Sequence, residues 1–292
     1  MASVLSAVAH FLILTWCLKV QVSDQVDLDM ADDAFDDQYI GCTEEMEEMA
    51  PQLLKEELEA NKEFSVEWKW ASETWNYIKN TNNVSKKLND FHGTALVASS
   101  SGDIVKFNRA IREFRSNSDN FQFKALHYYL TRALQLLNQG DCYTVYKRSI
   151  PRFHYNGTGN VRLGGFIDST LSKRRGTSPF ILKKWQWNVF KITTCLGVPI
   201  KEYSYYPHIV EVMIPGYEVY QKVNVTEKEK YFEITLENPK NDKSNFNCFY
   251  NSLKSNRSVD YFYEVSSGMR ESPVFLLLLP GLLVLLRLPT EL

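Results

Sequence analysis

Residues 123–148 read FKALHYYLTRALQLLNQGDCYTVYKR, and the period of the hydrophobic pattern changes within this stretch. In the first half, Leu126, Leu130 and Leu134 recur every four residues, which predicts one face of a helix that ends at Gly140. In the second half, the side chains of residues 143–148 alternate with a period of two, which predicts a β-strand. The chain therefore passes from a helical part to a β part at this point.

The same division holds on either side of this stretch. Before it, two more apolar stripes recur at helical spacing: Phe64, Trp68, Ala71, Trp75 and Ile78, and then Ile104, Phe107, Ile111 and Phe114. After it, short strands are predicted at 161–166, 186–194, 209–214, 218–223, 230–236 and 246–250. Helices followed by strands indicate an α+β fold and not repeated βαβ units.

Composition limits the functional classes. The chain has 292 residues, 44% of them hydrophobic and 23% charged, which is typical of a globular protein with one large domain or two small ones. A net charge of −2 argues against a general nucleic-acid binder. None of the five histidines has an i, i+4 partner, so we predict no metal site, and His127 reads as a packed core residue.

Both ends of the chain resemble processing signals. The apolar run Val4 to Leu18 begins near Met1 and gives way to polar residues, which predicts a signal peptide over 1–23; the alternative is a buried N-terminal helix. Small residues around Ser266 precede an apolar C-terminal run, which predicts a glycosylphosphatidylinositol (GPI) signal over 267–292 with attachment at Ser266. The alternative there is a plain anchor helix. The mature ectodomain is then 24–266.

Cysteines and sequons agree with an exported chain. Four cysteines remain after signal cleavage, and an even number predicts two disulfides with three possible connectivities. They are Cys42, Cys142, Cys195 and Cys248. Four sequons predict N-glycosylation at Asn83, Asn156, Asn224 and Asn256.

Several segments resemble one known family, the vertebrate ecto-mono-ADP-ribosyltransferases. LDMA at 28–31, FDDQY at 35–39 and Gly41-Cys42 resemble the mature N-terminus of that family. Residues 123–137 resemble its central helix, and TCLG at 194–197 and VMIP at 212–215 resemble its later strands. The matching segments run from about 28 to 250, so the resemblance covers nearly the whole ectodomain.

The resemblance implies a fold, a reaction and a disulfide pattern. The implied fold is a helical half followed by a mixed or antiparallel two-sheet β half that forms an NAD cleft. The implied reaction transfers ADP-ribose from NAD(P) to a protein arginine with release of nicotinamide, at the outer leaflet of the plasma membrane, to which a GPI anchor tethers the chain. The implied acceptor is a surface or secreted protein, and the implied disulfides are Cys42–Cys248 and Cys142–Cys195.

The signature positions of the family can be carried over one at a time. Lys147 stands where the family has the arginine that holds the NAD pyrophosphate; a register shifted by one would present Arg148 instead. Asp168 stands at the active-site serine, where a carboxylate is expected to repel both the catalytic glutamate and pyrophosphate. Glu211 matches the catalytic glutamate, and Ser204 matches a serine expected to touch NAD.

Two further departures from the family pattern affect the acceptor side. Ile209 stands where the family has the glutamate that directs the incoming arginine. The segment that follows the serine-rich strand, from Lys173 to Lys184, is longer and more basic than in the family, and the short helix found there in the family is not expected.

Three functional hypotheses follow. The first is an enzyme that cleaves NAD through Glu211, as a mono-ADP-ribosyltransferase or an NAD glycohydrolase. The second is a catalytically inactive GPI-anchored recognition protein on the same fold, which the altered signature positions favour. The third is a carbohydrate or pathogen receptor of unrelated class, for which only the aromatic content speaks.

Overall fold

The computed structural model describes residues 25–101, 104–149, 152–178 and 187–251. They belong to two compact units that divide between Asn247 and Cys248. The predicted signal peptide 1–23, the predicted GPI signal 267–292, Ser266 and Asn256 lie outside the described residues. Within the described ranges, no helix is both long and apolar enough to cross a membrane.

The first half of the described chain is helical. Seven α-helices are described: α1 Thr43–Ala60, α2 Lys62–Thr81, α3 Asp90–Ser99, α4 Ile104–Arg112, α5 Phe114–Asn117, α6 Lys124–Leu137 and, later in the chain, α7 Lys173–Thr177. The Asn61 side chain caps α2 by accepting a bond of 3.1 Å from the Phe64 N–H. The buried residues of α2 are the predicted stripe, Phe64, Trp68, Ala71, Trp75 and Ile78, so that prediction is confirmed.

Ten β-strands make three sheets. They are β1 Gln25–Asp27, β2 Tyr143–Ser149, β3 Arg152–His154, β4 Val161–Arg162, β5 Ile167–Ser169, β6 Trp187–Thr194, β7 Val198–Pro199, β8 Val212–Ile214, β9 Glu218–Glu227 and β10 Tyr231–Asn241. The main sheet has the order β2-β6-β10-β9-β4 and is antiparallel except for the parallel β6–β10 pair. A second, antiparallel sheet has the order β5-β8-β7, and β1 pairs in parallel with β3. The α+β prediction is confirmed.

The two larger sheets meet at one point, which positions the site. Tyr146 of β2 and Thr170, just after β5, form an isolated antiparallel bridge with bonds of 2.8 and 3.0 Å. In the described residues, β2 and β5 form no further pair on the Lys147 side of this bridge. The two sheets therefore separate there and leave room for a cleft.

Buried polar contacts fix the N-terminal segment against this cleft. Arg162 on β4 pairs with Asp36, and both side chains are only 2% exposed. Asp36 also accepts from the backbone N–H groups of Asn245 and Phe246, at 2.8 and 3.0 Å. Such a pair is costly to break from one side, because the remaining charge stays buried.

His127 is a core residue, as predicted from the sequence. It is buried on α6, and its Nδ1 lies 2.8 Å from the hydroxyl of Tyr39. Burial lowers the pKa of His127 to about 3, so the ring is neutral in the folded protein.

Two local expectations were wrong. The predicted strand 246–250 is instead a turn followed by helical residues, and Cys248 has φ of 57°, a left-handed conformation that interrupts a strand. The short helix that was not expected is present as α7. Ser172 caps it by accepting 3.4 Å from the Arg175 N–H, and Gly176 lets it approach β2, because a Cβ there would lie 2.3 Å from the Cβ of Tyr146.

The predicted modifications fall on suitable positions where they are described. A disulfide joins Cys142 to Cys195, one of the two pairs that the family resemblance implies. Cys42 and Cys248 are both disulfide-bonded, and their bond to each other stays a prediction. The sequon residues Asn83, Asn156 and Asn224 are exposed.

Candidate active site

A cleft of about 830 Å³ opens where the two sheets separate. Its walls are the acidic N-terminal segment (residues 26–33), parts of α4 and the cleft-facing ends of β2, β5 and β6. Both Lys147 and Asp168 line it, together with Arg112 and Arg162. Its volume is in the range of pockets that enclose a whole small ligand. No group of residues suited to a metal ion was found in the described part of the chain.

Lys147 is the cation that β2 presents to the cleft. It shares a strand face with Val145, which is fully buried in the core beneath the cleft. The Lys147 ammonium forms an ion pair with the Asp168 carboxylate, and the two side chains are 31% and 27% exposed. The pair is locally neutral, so Asp168 does not act as the uncompensated repulsive charge expected from the sequence.

Arg148 lies on the other face of β2. Its guanidinium donates a bond of 2.5 Å to the backbone carbonyl of Ser178, just after α7. Arg148 is not among the described residues that line the cleft. Residues 143–149 pair with 188–194 in an unbroken antiparallel ladder, and this register places Lys147, not Arg148, toward the cleft.

Glu211 is held by one of its two carboxylate oxygens. Its Oε2 accepts from the Thr170 hydroxyl at 2.6 Å and from the Leu171 backbone N–H at 2.9 Å, and it lies 2.6 Å from Nη2 of Arg175. No contact to Oε1 is found among the described residues. The side chain is 14% exposed. Three donors therefore orient the carboxylate and leave its second oxygen for a ligand.

These contacts also set the charge of Glu211. Partial burial acts to raise its pKa, but the hydrogen bonds from Thr170, Leu171 and Arg175 and the charge of Arg175 outweigh burial, so the pKa lies below its ordinary value. Glu211 is consequently an oriented, ionised carboxylate at neutral pH.

Arg175 and Thr170 complete the site, and sequence reasoning did not assign either of them this role. Arg175 donates from Nε to the Thr170 hydroxyl at 3.2 Å and from Nη1 to the His208 carbonyl at 2.8 Å, in addition to its pair with Glu211. Ser172, three residues before Arg175, is a good helix N-cap, so the sequence did contain a signal for the short helix that carries Arg175.

The two charge pairs are linked through β5 and its extension, which carry one contact residue for each pair. Asp168 and Thr170 are two residues apart along β5 and its extension, so about 7 Å separates them. Asp168 contacts Lys147, and Thr170 contacts Glu211. A cation and an oriented carboxylate are thereby brought within the length of one dinucleotide.

The remaining predicted residues lie to one side of this arrangement. Ser204 is 5% exposed, and its hydroxyl accepts from the Tyr206 N–H at 3.0 Å, which stabilises a local turn. Ser204, like Glu211, is outside the described lining of the cleft. Ile209 is 64% exposed, and Tyr205 and Tyr206 beside it are also exposed. The exposed large hydrophobic residues that precede Glu211 in the chain are thus two tyrosines and an isoleucine.

Comparison with known proteins gives a consistent result. The family model described as NAD:arginine ADP-ribosyltransferase matches residues 28–244. The T-cell ecto-ADP-ribosyltransferase 1 of Rattus norvegicus is 50% identical over 276 residues, which cover 93% of this chain and 94% of the relative. The GPI-linked NAD(P)(+)–arginine ADP-ribosyltransferase 1 of Mus musculus is 35% identical, with 91% of this chain and 86% of the relative covered.

Solved structures agree with the sequence relatives. Two crystal structures of mutants of the eukaryotic mono-ADP-ribosyltransferase ART2.2, one in complex with NADH and one with NAD, superimpose with TM-scores of 0.72 and 0.71. Each is 52% identical and covers 77% of this chain and 99% of the solved chain. With the separated sheets, the cleft and the oriented Glu211 already in place, these matches show that the chain belongs to the NAD:arginine ADP-ribosyltransferase family.

Proposed function

We propose that this protein cleaves NAD at the bond between nicotinamide and ribose and transfers the ADP-ribose to an acceptor nucleophile. The observation that carries the proposal is the state of Glu211: Oε2 is fixed by three donors, while Oε1 has no described partner. A glutamate that serves only in an ion pair gains no stability from leaving one carboxylate oxygen without a partner. A catalytic glutamate needs one to bind the substrate.

The proposed chemistry uses few groups. As the glycosidic C–N bond breaks, nicotinamide leaves with the bonding electrons and positive charge develops on the ribose. The ionised Glu211 stabilises that charge and accepts a hydrogen bond from a ribose hydroxyl through Oε1. The acceptor then forms a bond to the same ribose carbon, and its proton passes to solvent. Lys147 supplies the cation for the pyrophosphate, as a point charge without the two-pronged grip of arginine.

The acceptor is proposed to include water as well as protein side chains. The matching family model and the Mus musculus relative carry arginine in their names. In this chain Ile209 presents no carboxylate to an incoming guanidinium, and its side chain is 64% exposed to the acceptor. We therefore propose that hydrolysis to free ADP-ribose competes strongly with transfer to arginine.

The proposed setting is the outer face of the plasma membrane. The two terminal signals, the disulfide Cys142–Cys195 and the exposed sequon residues Asn83, Asn156 and Asn224 support export. Names of relatives that read "ecto" and "GPI-linked" agree with this. We propose a GPI anchor near Ser266, with extracellular NAD(P) and surface proteins as the substrates.

The experiment displays the full-length chain on transfected mammalian cells and measures nicotinamide release from NAD. Glu211→Gln is nearly isosteric and removes the charge, so we expect a loss of at least about 100-fold. Glu202→Gln is the matched control, because Glu202 is exposed on a nearby turn. Equal surface levels, measured with an epitope tag, separate catalysis from folding. Release that is unchanged in Glu211→Gln would contradict the proposal.

A second candidate is an inactive surface protein on the same fold. The observation in its favour is that both charge pairs are closed: Lys147 with Asp168, and Arg175 with Glu211. Substrate must compete with each pair. No nicotinamide release above the background of Glu211→Gln, at saturating NAD and equal surface levels, would favour this candidate.

A further inference from the structure

We infer that Arg175 is a specificity-determining residue that occupies the place of an acceptor guanidinium and directs ADP-ribose to water. The inference rests on the proposed NAD cleavage and names which acceptor the site prefers. It starts from the contacts that Arg175 makes in addition to its bond to Glu211.

The first step is the position of the guanidinium. Arg175 Nη2 lies 2.6 Å from the Glu211 carboxylate, and Nη1 donates at 2.8 Å to the carbonyl of His208, which precedes Ile209. One planar group therefore spans the distance from Glu211 to the backbone beside Ile209. An arginine acceptor needs this same space, since its nitrogen must reach the ribose that Glu211 binds.

The second step is that the guanidinium is held firmly. Its Nε also bonds the Thr170 hydroxyl at 3.2 Å, so all three nitrogens are engaged. The short helix α7 carries Arg175 and packs on β2 through Gly176. The arginine fork suits such a contact, because its donors are fixed in one plane.

The third step is electrostatic. Arg175 already neutralises the charge of Glu211. A second guanidinium within about 5 Å therefore gains no net attraction to that carboxylate, and at the partial burial of this site the missing attraction corresponds to roughly a 10-fold loss of affinity. Tyr205, Tyr206 and Ile209, which precede Glu211 in the chain and are exposed, carry no carboxylate that could attract the guanidinium instead. Water is small and neutral, and it is excluded by neither effect.

The test measures how NAD turnover divides between water and agmatine, a small guanidinium acceptor. The full-length chain on cells is given NAD and agmatine, and ADP-ribosyl-agmatine is measured together with total nicotinamide. In the unmodified chain we expect hydrolysis to dominate. In Arg175→Gln and Arg175→Met, we expect the agmatine share to rise about 10-fold. Total NAD cleavage should fall but stay measurable, because Thr170 and Leu171 still hold Glu211.

Arg174→Gln is the matched control, because Arg174 is exposed on the same helix and no side-chain contact of it with Glu211 is described. It should leave the agmatine share unchanged. Arg175→Lys should also keep the share low, since it retains the charge.

Four results would overturn the inference while leaving NAD cleavage intact as the proposed function. They are an unchanged agmatine share in both neutral variants, an equal rise in Arg174→Gln, ADP-ribose found on Arg175 itself, and loss of nicotinamide release in both neutral variants at normal surface level. No nicotinamide release from the unmodified chain would instead remove the proposed function, and the inference with it.

Discussion

The ion pair between Lys147 and Asp168 gives a sharp prediction about NAD affinity. Asp168→Asn keeps the size and shape of the side chain and removes its charge. The net charge of the Lys147–Asp168 pair then changes from zero to plus one. We expect the KM for NAD to fall, because the freed ammonium can attract the pyrophosphate without competition.

The magnitude follows from the geometry. Pyrophosphate carries two negative charges, and a lysine that contacts it lies about 6 Å from their centre. With an effective dielectric constant of 40 to 80, the attraction is about 1.4–2.8 kcal/mol, or roughly 10- to 100-fold in affinity. The pair is 31% and 27% exposed, so solvent screening favours the lower end of this range.

The assay measures the initial rate of nicotinamide release against NAD concentration at low and high salt. The gain of Asp168→Asn should shrink at high salt, because screening weakens the attraction. Asp119→Asn is the control, since Asp119 is exposed and outside the described lining of the cleft. A KM for NAD that rises or stays constant in Asp168→Asn would refute the reasoning and assign Asp168 a direct role in substrate binding.

Three further predictions concern the carboxylate anchor and the core. Thr170→Val removes the 2.6 Å bond to Glu211, worth about 1.5–3 kcal/mol. Nicotinamide release should slow about 10- to 100-fold, and the acid limb of its pH profile should move to higher pH, because this bond helps to lower the pKa of Glu211. Asp36→Asn leaves Arg162 buried without its partner, and the full-length chain should lose about 3–5 kcal/mol in thermal or denaturant unfolding. His127 has a pKa of about 3 in the folded protein, below its value in the unfolded chain. The free energy of unfolding is therefore retained above about pH 6.5 and decreases as the pH falls. His127→Gln should reduce this decrease between pH 7 and pH 5 by about 2 kcal/mol.

Each of these predictions has a control and a contradicting result. Thr177→Val alters a hydroxyl bonded within α7, and a pH profile that shifts equally there would contradict the role of Thr170. Asp119→Asn serves again for Asp36, and equal unfolding free energies would show that the buried pair is not stabilising. His208→Gln removes an exposed histidine, and the same acid dependence in the unmodified chain and in His127→Gln would exclude burial of that ring as the cause.

The regular parts of this fold could be predicted from the sequence because each hydrophobic pattern repeats over many residues. The stripe from Phe64 to Ile78 and the run from Phe123 to Leu137 each cover several helical turns, so their buried faces follow from spacing alone. The strand at 246–250 was mispredicted because alternation over five residues carries little information. The left-handed backbone at Cys248 has no signature in that pattern.

The site divides in the same way. Glu211 and Lys147 were identified from segments that resemble the family. Arg175 was missed because its role depends on where α7 packs, and that packing depends on the space at Gly176 beside Tyr146. The repulsion expected at Asp168 was wrong for a similar reason, since its partner Lys147 lies 21 residues away in sequence and approaches it only after the sheets form.

The disulfide between Cys142 and Cys195 has a consequence for which cation faces the substrate. Cys142 lies just before β2 and Cys195 just after β6, so the two cysteines oppose each other immediately beyond the ladder pair Tyr143 and Thr194. A slip of one residue between these strands would turn Lys147 away and bring Arg148 toward the cleft. The covalent bond opposes that slip, so a pair of sulfur atoms at one end of the sheet helps to keep Lys147 directed toward the cleft at the other.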